Sequence, residues 1–392
     1  MRALPDFPWD SLVPFRERAS MFPADPDAGD PAAGSADPGG LVDLSVGTPV
    51  DPTPAVIREA LVAAADAPGY PQTYGTADLR EAVATWFEAR RGVSDVHPDG
   101  VLPTIGSKEL VAWLPTLLGL GPGDVVGLPR IAYPTYDVGA RLAGARPFPA
   151  DSTTAFGPVT RASAPRLLWL NSPGNPTGAV LGVEHLAKVV RWARRHGVIV
   201  ASDECYAELD WRHPQERGRI PTTPSILDPR VTEGSHEGLL CVYSLSKQSN
   251  LAGYRAAFVA GDPVLVRRLL EVRKHAGMMM PWPIQQAMLA GLADAEHVVE
   301  QRARYAARRD VLRPAVEAFG LRIEDSQAGL YLWATADEDS WTTIGRLADL
   351  GILAAPGAFY GAAGARHVRI ALTATDARVA AAARRLRRAA RD

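Results

Sequence analysis

From Leu41 onward, short apolar runs alternate with longer stretches in which apolar residues recur every three or four positions. The runs Val125–Leu128, Leu167–Leu170, Val198–Ser202, Leu239–Tyr243 and Ala256–Ala260 have strand length and are nearly continuous in apolar character. Strands of that kind are buried on both faces, which predicts a mostly parallel sheet covered by helices. Lys108–Leu118, Tyr136–Leu142 and Val183–His196 carry the helical spacing that would supply the cover. The expected fold is therefore α/β, with a doubly wound large domain over 41–281.

After Pro281 and Pro283 the pattern changes to long helical segments. Strand-like Gly329–Ala334, Ile352–Ala354 and His367–Leu372 follow, then a final helix. This predicts a smaller α+β domain over 282–392, joined by an arm over 1–40. Within that arm, residues 22–40 (FPADPDAGDPAAGSADPGG) are too poor in apolar side chains to bury a face, so they read as a mobile loop.

Composition narrows the function classes. The chain has 392 residues, 47% hydrophobic, which is enough for two cores. Its net charge of -2, with basic residues dispersed, argues against nucleic acid as the main ligand. The arginines of the last helix, Arg384, Arg385, Arg387 and Arg388, read as a solvated face. Two cysteines, Cys205 and Cys241, form no metal-ligand spacing with a histidine, so no metal is expected. No apolar run reaches the ~20 residues that span a bilayer. With no secretory leader pattern at the start, a cytoplasmic location is expected.

Four clusters follow strand ends or open helices, where ligands of open α/β sheets bind. Tyr243-Ser244-Leu245-Ser246-Lys247 leads into Gly253-Tyr254-Arg255. A lysine there suits imine chemistry, with the serines and Arg255 as phosphate donors. Ser244-x-x-Lys247 also matches the Ser-Lys motif of penicillin-binding enzymes, although the partner motifs Ser-Asp-Asn and Lys-Thr-Gly are absent. Ser202-Asp203-Glu204-Cys205-Tyr206 offers a carboxylate that would keep a pyridine ring protonated, or simply a helix cap. Asn171-Ser172-Pro173-Gly174-Asn175-Pro176-Thr177-Gly178 is a turn that presents the Asn175 amide. Thr104-Ile105-Gly106-Ser107-Lys108 opens a helix whose N-terminus favours a phosphate, or is an ordinary cap.

Taken in order, these clusters resemble the class I and II aminotransferases of pyridoxal-phosphate (PLP) fold type I, from about Leu41 to the C-terminus. The resemblance implies that Lys247 forms the Schiff base with the cofactor and shuttles the proton. It assigns Asp203 to the pyridine nitrogen, Tyr206 and Asn175 to the ring oxygen, and Tyr133 to stacking on the ring. Phosphate contacts fall to Ser107 and Lys108, largely through backbone, and to Ser244, Ser246 and Arg255. Arg369, in His367-Val368-Arg369-Ile370-Ala371-Leu372, is the expected clamp for the substrate α-carboxylate, assisted by Asn175. Without the family it would read as a surface ion-pair residue on an edge strand. Gly47 lies in the loop expected to close over the substrate.

Tyr70, five residues before Gly75, is implied to reach the phosphate of a neighbouring subunit, hence a homodimer with shared sites. Segments such as DLSVGTPVDP, GSKELVAWLPTLLGLG and SLSKQSNLAGYRA are most similar to actinobacterial succinyldiaminopimelate aminotransferases. That likeness implies amino transfer between N-succinyl-L,L-2,6-diaminopimelate and 2-oxoglutarate. Acetylornithine, aspartate or lyase chemistry stays open as an alternative. The Ala276–Pro281 stretch and the N-terminal arm are expected pocket walls, and Lys274 or another nearby cation is the expected partner of a succinyl or side-chain carboxylate.

Overall fold

The computed structural model describes residues 7–24, 39–212 and 223–391. The loop expected over 22–40 falls largely on 25–38, outside the described residues.

The strands, in chain order, are β1 (Val42–Asp43), β2 (Val101–Ile105), β3 (Val125–Leu128), β4 (Arg146–Pro149), β5 (Leu167–Asn171), β6 (Ile199–Asp203) and β7 (Leu239–Ser244). They continue as β8 (Ala256–Gly261), β9 (Arg322–Glu324), β10 (Tyr331–Thr335), β11 (Ile352–Leu353), β12 (Ala355–Pro356) and β13 (Val368–Ala371).

The main sheet runs β2-β8-β7-β6-β5-β3-β4. Its strands are parallel except β8, which pairs antiparallel with both β2 and β7. Side chains of β7 alternate between two cores. Leu239, Cys241 and Tyr243 face the core shared with the helix Val183–His196, whereas Leu240 and Val242 face the core shared with Ser107–Leu117 and Pro263–Ala276. Because both faces are covered, all six β7 residues are buried, and the strand reads as a continuous apolar run.

β2 and β4 were not evident from the apolar pattern, and both lie at sheet edges. β2 contains Pro103, and β4 contains Pro147 and Pro149. Proline lacks a ladder donor, so it argues against a strand in the sequence and is tolerated where one side needs no partner.

A second, antiparallel sheet runs β12-β13-β10-β9, and β1 pairs in parallel with β11. Leu12 shares a core with the helices Glu296–Ala318 and Asp376–Ala389, so the start of the chain packs against its end. In that last helix Arg385 corrects the solvated-face expectation. It is only 5% exposed, donates to the carbonyls of Gly40, Leu350 and Gly351, and lies over the Phe22 ring. An arginine can be buried where backbone carbonyls occupy its donors.

Candidate active site

Lys247 sits in the turn that leaves β7 and returns as β8. The Ser249 amide donates to the Leu245 carbonyl at 3.1 Å, and the Tyr243 hydroxyl donates to Gln248 at 2.6 Å, so the turn is fixed on both sides of the lysine. The Lys247 ammonium donates to the Gly47 carbonyl. Burial pushes the Lys247 amine below its ordinary value. The phenol of Tyr331 and the thiol of Cys205 oppose that shift, while Arg369 and Arg255 reinforce it. A buried amine that readily loses its proton can act as a nucleophile and a base.

Asp203 ends β6, in register with Asn171 of β5 and Val242 of β7. Its two oxygens are separately held: Oδ1 accepts the Cys205 amide at 3.2 Å and Oδ2 accepts the Tyr136 hydroxyl at 2.9 Å. Burial raises the Asp203 carboxyl despite these donors. No Lys, Arg or His nitrogen lies within ion-pair distance of it among the described residues. A buried carboxylate without a cation is costly unless a bound group supplies the positive charge.

Arg369 lies on β13, which is flanked by β10 and β12 and so is not an edge strand. Its guanidinium donates to Asn175 Oδ1 at 2.9 Å and to the Ser45 carbonyl at 2.6 Å, and it stacks over the Tyr331 ring at 4.0 Å. Its Nε is buried and has no partner. Asn171 builds the loop that presents Asn175, accepting the Asn175 amide at 2.7 Å and donating to the Pro173 and Asp203 carbonyls at 3.1 and 3.0 Å. The hydroxyls of Tyr206 and Tyr331 are 3.0 Å apart. Burial raises both phenols. For Tyr331, Arg369 and Lys247 outweigh that effect and bring it below its ordinary value, whereas Tyr206 stays well above.

On the opposite wall, the helix Ser107–Leu117 opens at Gly106, whose φ is 77°. A Cβ there would collide with the Arg255 guanidinium, so glycine is needed both for the left-handed backbone and for the close approach. Ser244 Oγ stands 2.8 Å from Ser246 Oγ and 3.2 Å from the Ala256 carbonyl. The helix start, two hydroxyls and Arg255 converge as an anion cradle.

One cavity of about 980 Å³ gathers Gly47, Ser107, Lys108, Tyr133, Asn175, Asp203, Tyr206, Ser244, Ser246, Lys247, Arg255 and Arg369. Tyr70 is outside it and 96% exposed. Lys274 is a correction. It stands apart from the cavity on the exposed side of its helix, paired with Glu271 at 2.8 Å, as a helical i, i+3 spacing favours. The Ala276–Pro281 stretch does not line the cavity either, whereas Phe7, Trp9 and Arg16 of the N-terminal arm do.

Sequence reasoning missed Tyr331 and Tyr136. For Tyr136 there was a signal, its spacing of three from Tyr133. For Tyr331 there was none beyond its place in a strand.

These groups fit a bound PLP. The cradle suits its phosphate, uncompensated Asp203 suits a protonated ring nitrogen, Tyr133 offers a ring face, and the amine of Lys247 is within the same enclosure. Among the described residues no group of His, Cys, Asp and Glu could hold a metal, and no helix is long and apolar enough to cross a membrane.

Comparison with known proteins agrees. Residues 40–386 match the family described as aminotransferase class I and II. The chain is 55% identical over 388 residues to the 4-dedimethylamino-4-oxo-anhydrotetracycline transaminase OxyQ of Streptomyces rimosus, covering 98% of this chain and 100% of that one. It is 55% identical over 384 residues to the probable aminotransferase Rv1178 of Mycobacterium tuberculosis, covering 98% and 85%. A solved structure, a probable N-succinyldiaminopimelate aminotransferase from Thermus thermophilus, superposes with a TM-score of 0.78 at 30% identity, covering 89% of this chain and 95% of that one.

Proposed function

The chain belongs to the class I and II aminotransferases, PLP-dependent enzymes of fold type I, and from that premise we propose that it moves an amino group between N-succinyl-L,L-2,6-diaminopimelate and 2-oxoglutarate. The observation that carries this reading is the size of the cavity around Lys247 and Arg369. At about 980 Å³ it lies at the upper end of ligand-site volumes, which leaves space for an extended donor beside the cofactor. Similarity to the Thermus thermophilus protein supports the same substrate. On this reading the enzyme works in cytoplasmic amino-acid synthesis.

Each residue then has a defined task. When bound, PLP supplies an aldehyde carbon for imine exchange and a protonated ring that accepts the electron pair left by the broken Cα–H bond. Arg369 holds the substrate α-carboxylate with its planar donors, and Asn175 orients Arg369. Lys247 would hold the cofactor through Nζ and, as the free amine, would take the proton from the substrate Cα. Its lowered pKa favours the free amine that this role needs. Asp203 keeps the ring nitrogen protonated, and Tyr136 and the Cys205 amide hold Asp203 in place. Tyr206 donates to the ring oxygen together with Asn175, and Tyr133 covers one ring face. Ser107 and Lys108, largely through their backbone amides, and the side chains of Ser244, Ser246 and Arg255 receive the phosphate. Exposed Tyr70 serves the site of a second subunit in a homodimer.

A second reading is favoured by the 55% identity to OxyQ and by the aromatic side chains Phe7, Trp9, Phe359 and Tyr360 on the cavity wall. In it, the amino acceptor is a flat polycyclic ketone. Incubating PLP-loaded protein with 2-oxoglutarate and N-succinyl-L,L-2,6-diaminopimelate separates the two. Glutamate formed at the expense of that donor supports the first reading. Glutamate formed only from other amines keeps the enzyme class and rejects this substrate.

A further inference from the structure

The cavity contains more positive charge than the chemistry described above uses. Lys247, Arg255 and Arg369 serve cofactor and α-carboxylate, but Arg16, Lys108 and Arg130 also line the cavity, with Asp137 beside them. Arg16 is neutralised by Asp43 at 2.7 Å, and Asp137 by Arg141 at 2.6 Å. The Lys108 and Arg130 side chains have no ion-pair partner among the described residues.

Beside Lys108 runs an aromatic wall. Lys108 Nζ is 5.6 Å from the centre of the Phe7 ring, Phe7 stacks on Trp9 at 5.6 Å, and Trp9 meets Phe359 at 5.2 Å and Tyr360 at 6.3 Å. Tyr360 touches the α-carboxylate clamp with its ring, 5.1 Å from the Arg369 guanidinium. Its carbonyl accepts the Ala132 amide at 2.8 Å, two residues beyond Arg130. The ring contacts therefore run from the clamp to Lys108, and Arg130 lines the same cavity close in sequence to Ala132, which is bonded to Tyr360.

We propose that Lys108 and Arg130 form a second anion-receiving edge of this cavity, selecting an extended amino donor with a carboxylate beyond the one held on Arg369 and a methylene chain lying along Phe7, Trp9 and Phe359. The inference rests on the transaminase reading of the same site and deepens it to a substrate class, the long-chain ω-carboxylated amino acids. An exposed ion pair changes affinity by about fivefold or less, so the edge discriminates between donors more than it tightens binding overall.

A matched pair of donors tests this: L-2-aminopimelate, and L-2-aminoheptanoate, which has the same chain without the far carboxylate. In PLP-loaded full-length protein, kcat/KM favours aminopimelate. Arg130→Ala reduces that preference about fivefold, mainly through KM, and Arg130→Lys restores most of it. Calorimetry with pimelate and heptanoate, which have no amine to transfer, reads the edge without turnover, and the same variant weakens pimelate selectively. Equal losses for both members of each pair, or no preference in the wild type, would overturn the proposal. Selective pimelate binding without any amino transfer would retain the edge and reject the transaminase reading instead.

Discussion

The inner end and the mouth of the cavity are built on opposite terms. At the inner end Asp203, Tyr206 and Arg369 are buried and Lys247 is half-buried, and each is held by backbone or by another buried side chain. Burial there moves protonation away from ordinary values, down for Lys247 and up for Asp203. At the mouth Phe7, Lys108 and Arg130 are exposed, and among the described residues the Phe7 and Lys108 side chains are supported by ring stacking and a cation over a ring. Displacing an inner group disturbs a packed core, whereas changing a mouth residue disturbs little else. Reaction chemistry is therefore fixed where substitution costs most, and substrate choice varies where it costs least.

The comparison can be broken or sharpened by substitution. The largest effect belongs to Lys247→Ala, since one side chain performs both covalent and proton-transfer work. Turnover is expected to fall at least about 10,000-fold, measured as glutamate formation under saturating PLP. Arg369→Lys replaces a planar fork by a point charge and leaves the Asn175 and Ser45 contacts unmet. KM should rise about 10- to 100-fold for every α-amino acid, irrespective of what its far end carries. A rise confined to long donors would place the clamp elsewhere.

Tyr136→Phe removes one neutral donor from Asp203 while the Cys205 amide remains. A three- to tenfold decrease in kcat is expected, about 1 kcal/mol, with KM for the amino donor little altered. Smallest is an effect on stability. Because burial lowers the folded Lys247 amine below its ordinary 10.5, the unfolded chain binds more protons over that interval. The penalty is full below the folded value and fades as pH rises toward 10.5. Lys247→Met should therefore raise the melting temperature of cofactor-free protein at neutral pH, and the gap should close at alkaline pH.

The same contrast explains what was legible in the sequence. Central strands such as β3 and β7 were evident because burial on both faces leaves an unbroken apolar run. Edge strands β2 and β4 were hidden by their prolines. The reversed direction of β8 has no local signature, since its residues are as apolar as those of its parallel neighbours. In the site, Lys247, Asp203 and Asn175 each follow an apolar strand in a distinctive polar cluster. Tyr331 and Trp9 reach the cavity only because β10 and the start of the chain fold back against it. The expectation for Lys274 drew on its closeness in sequence to Lys247, and a helical turn carries it to the exposed surface.

The most direct measurement is the visible absorption spectrum of the purified protein mixed with PLP, recorded before and after adding an amino donor, with Lys247→Ala alongside. Wild-type protein should show the band of PLP bound through a lysine imine, and the donor should convert it to the pyridoxamine form, while the variant shows no such band. A variant that keeps the lysine-imine band, or a wild type whose band ignores every amino donor, would contradict the central role given to Lys247.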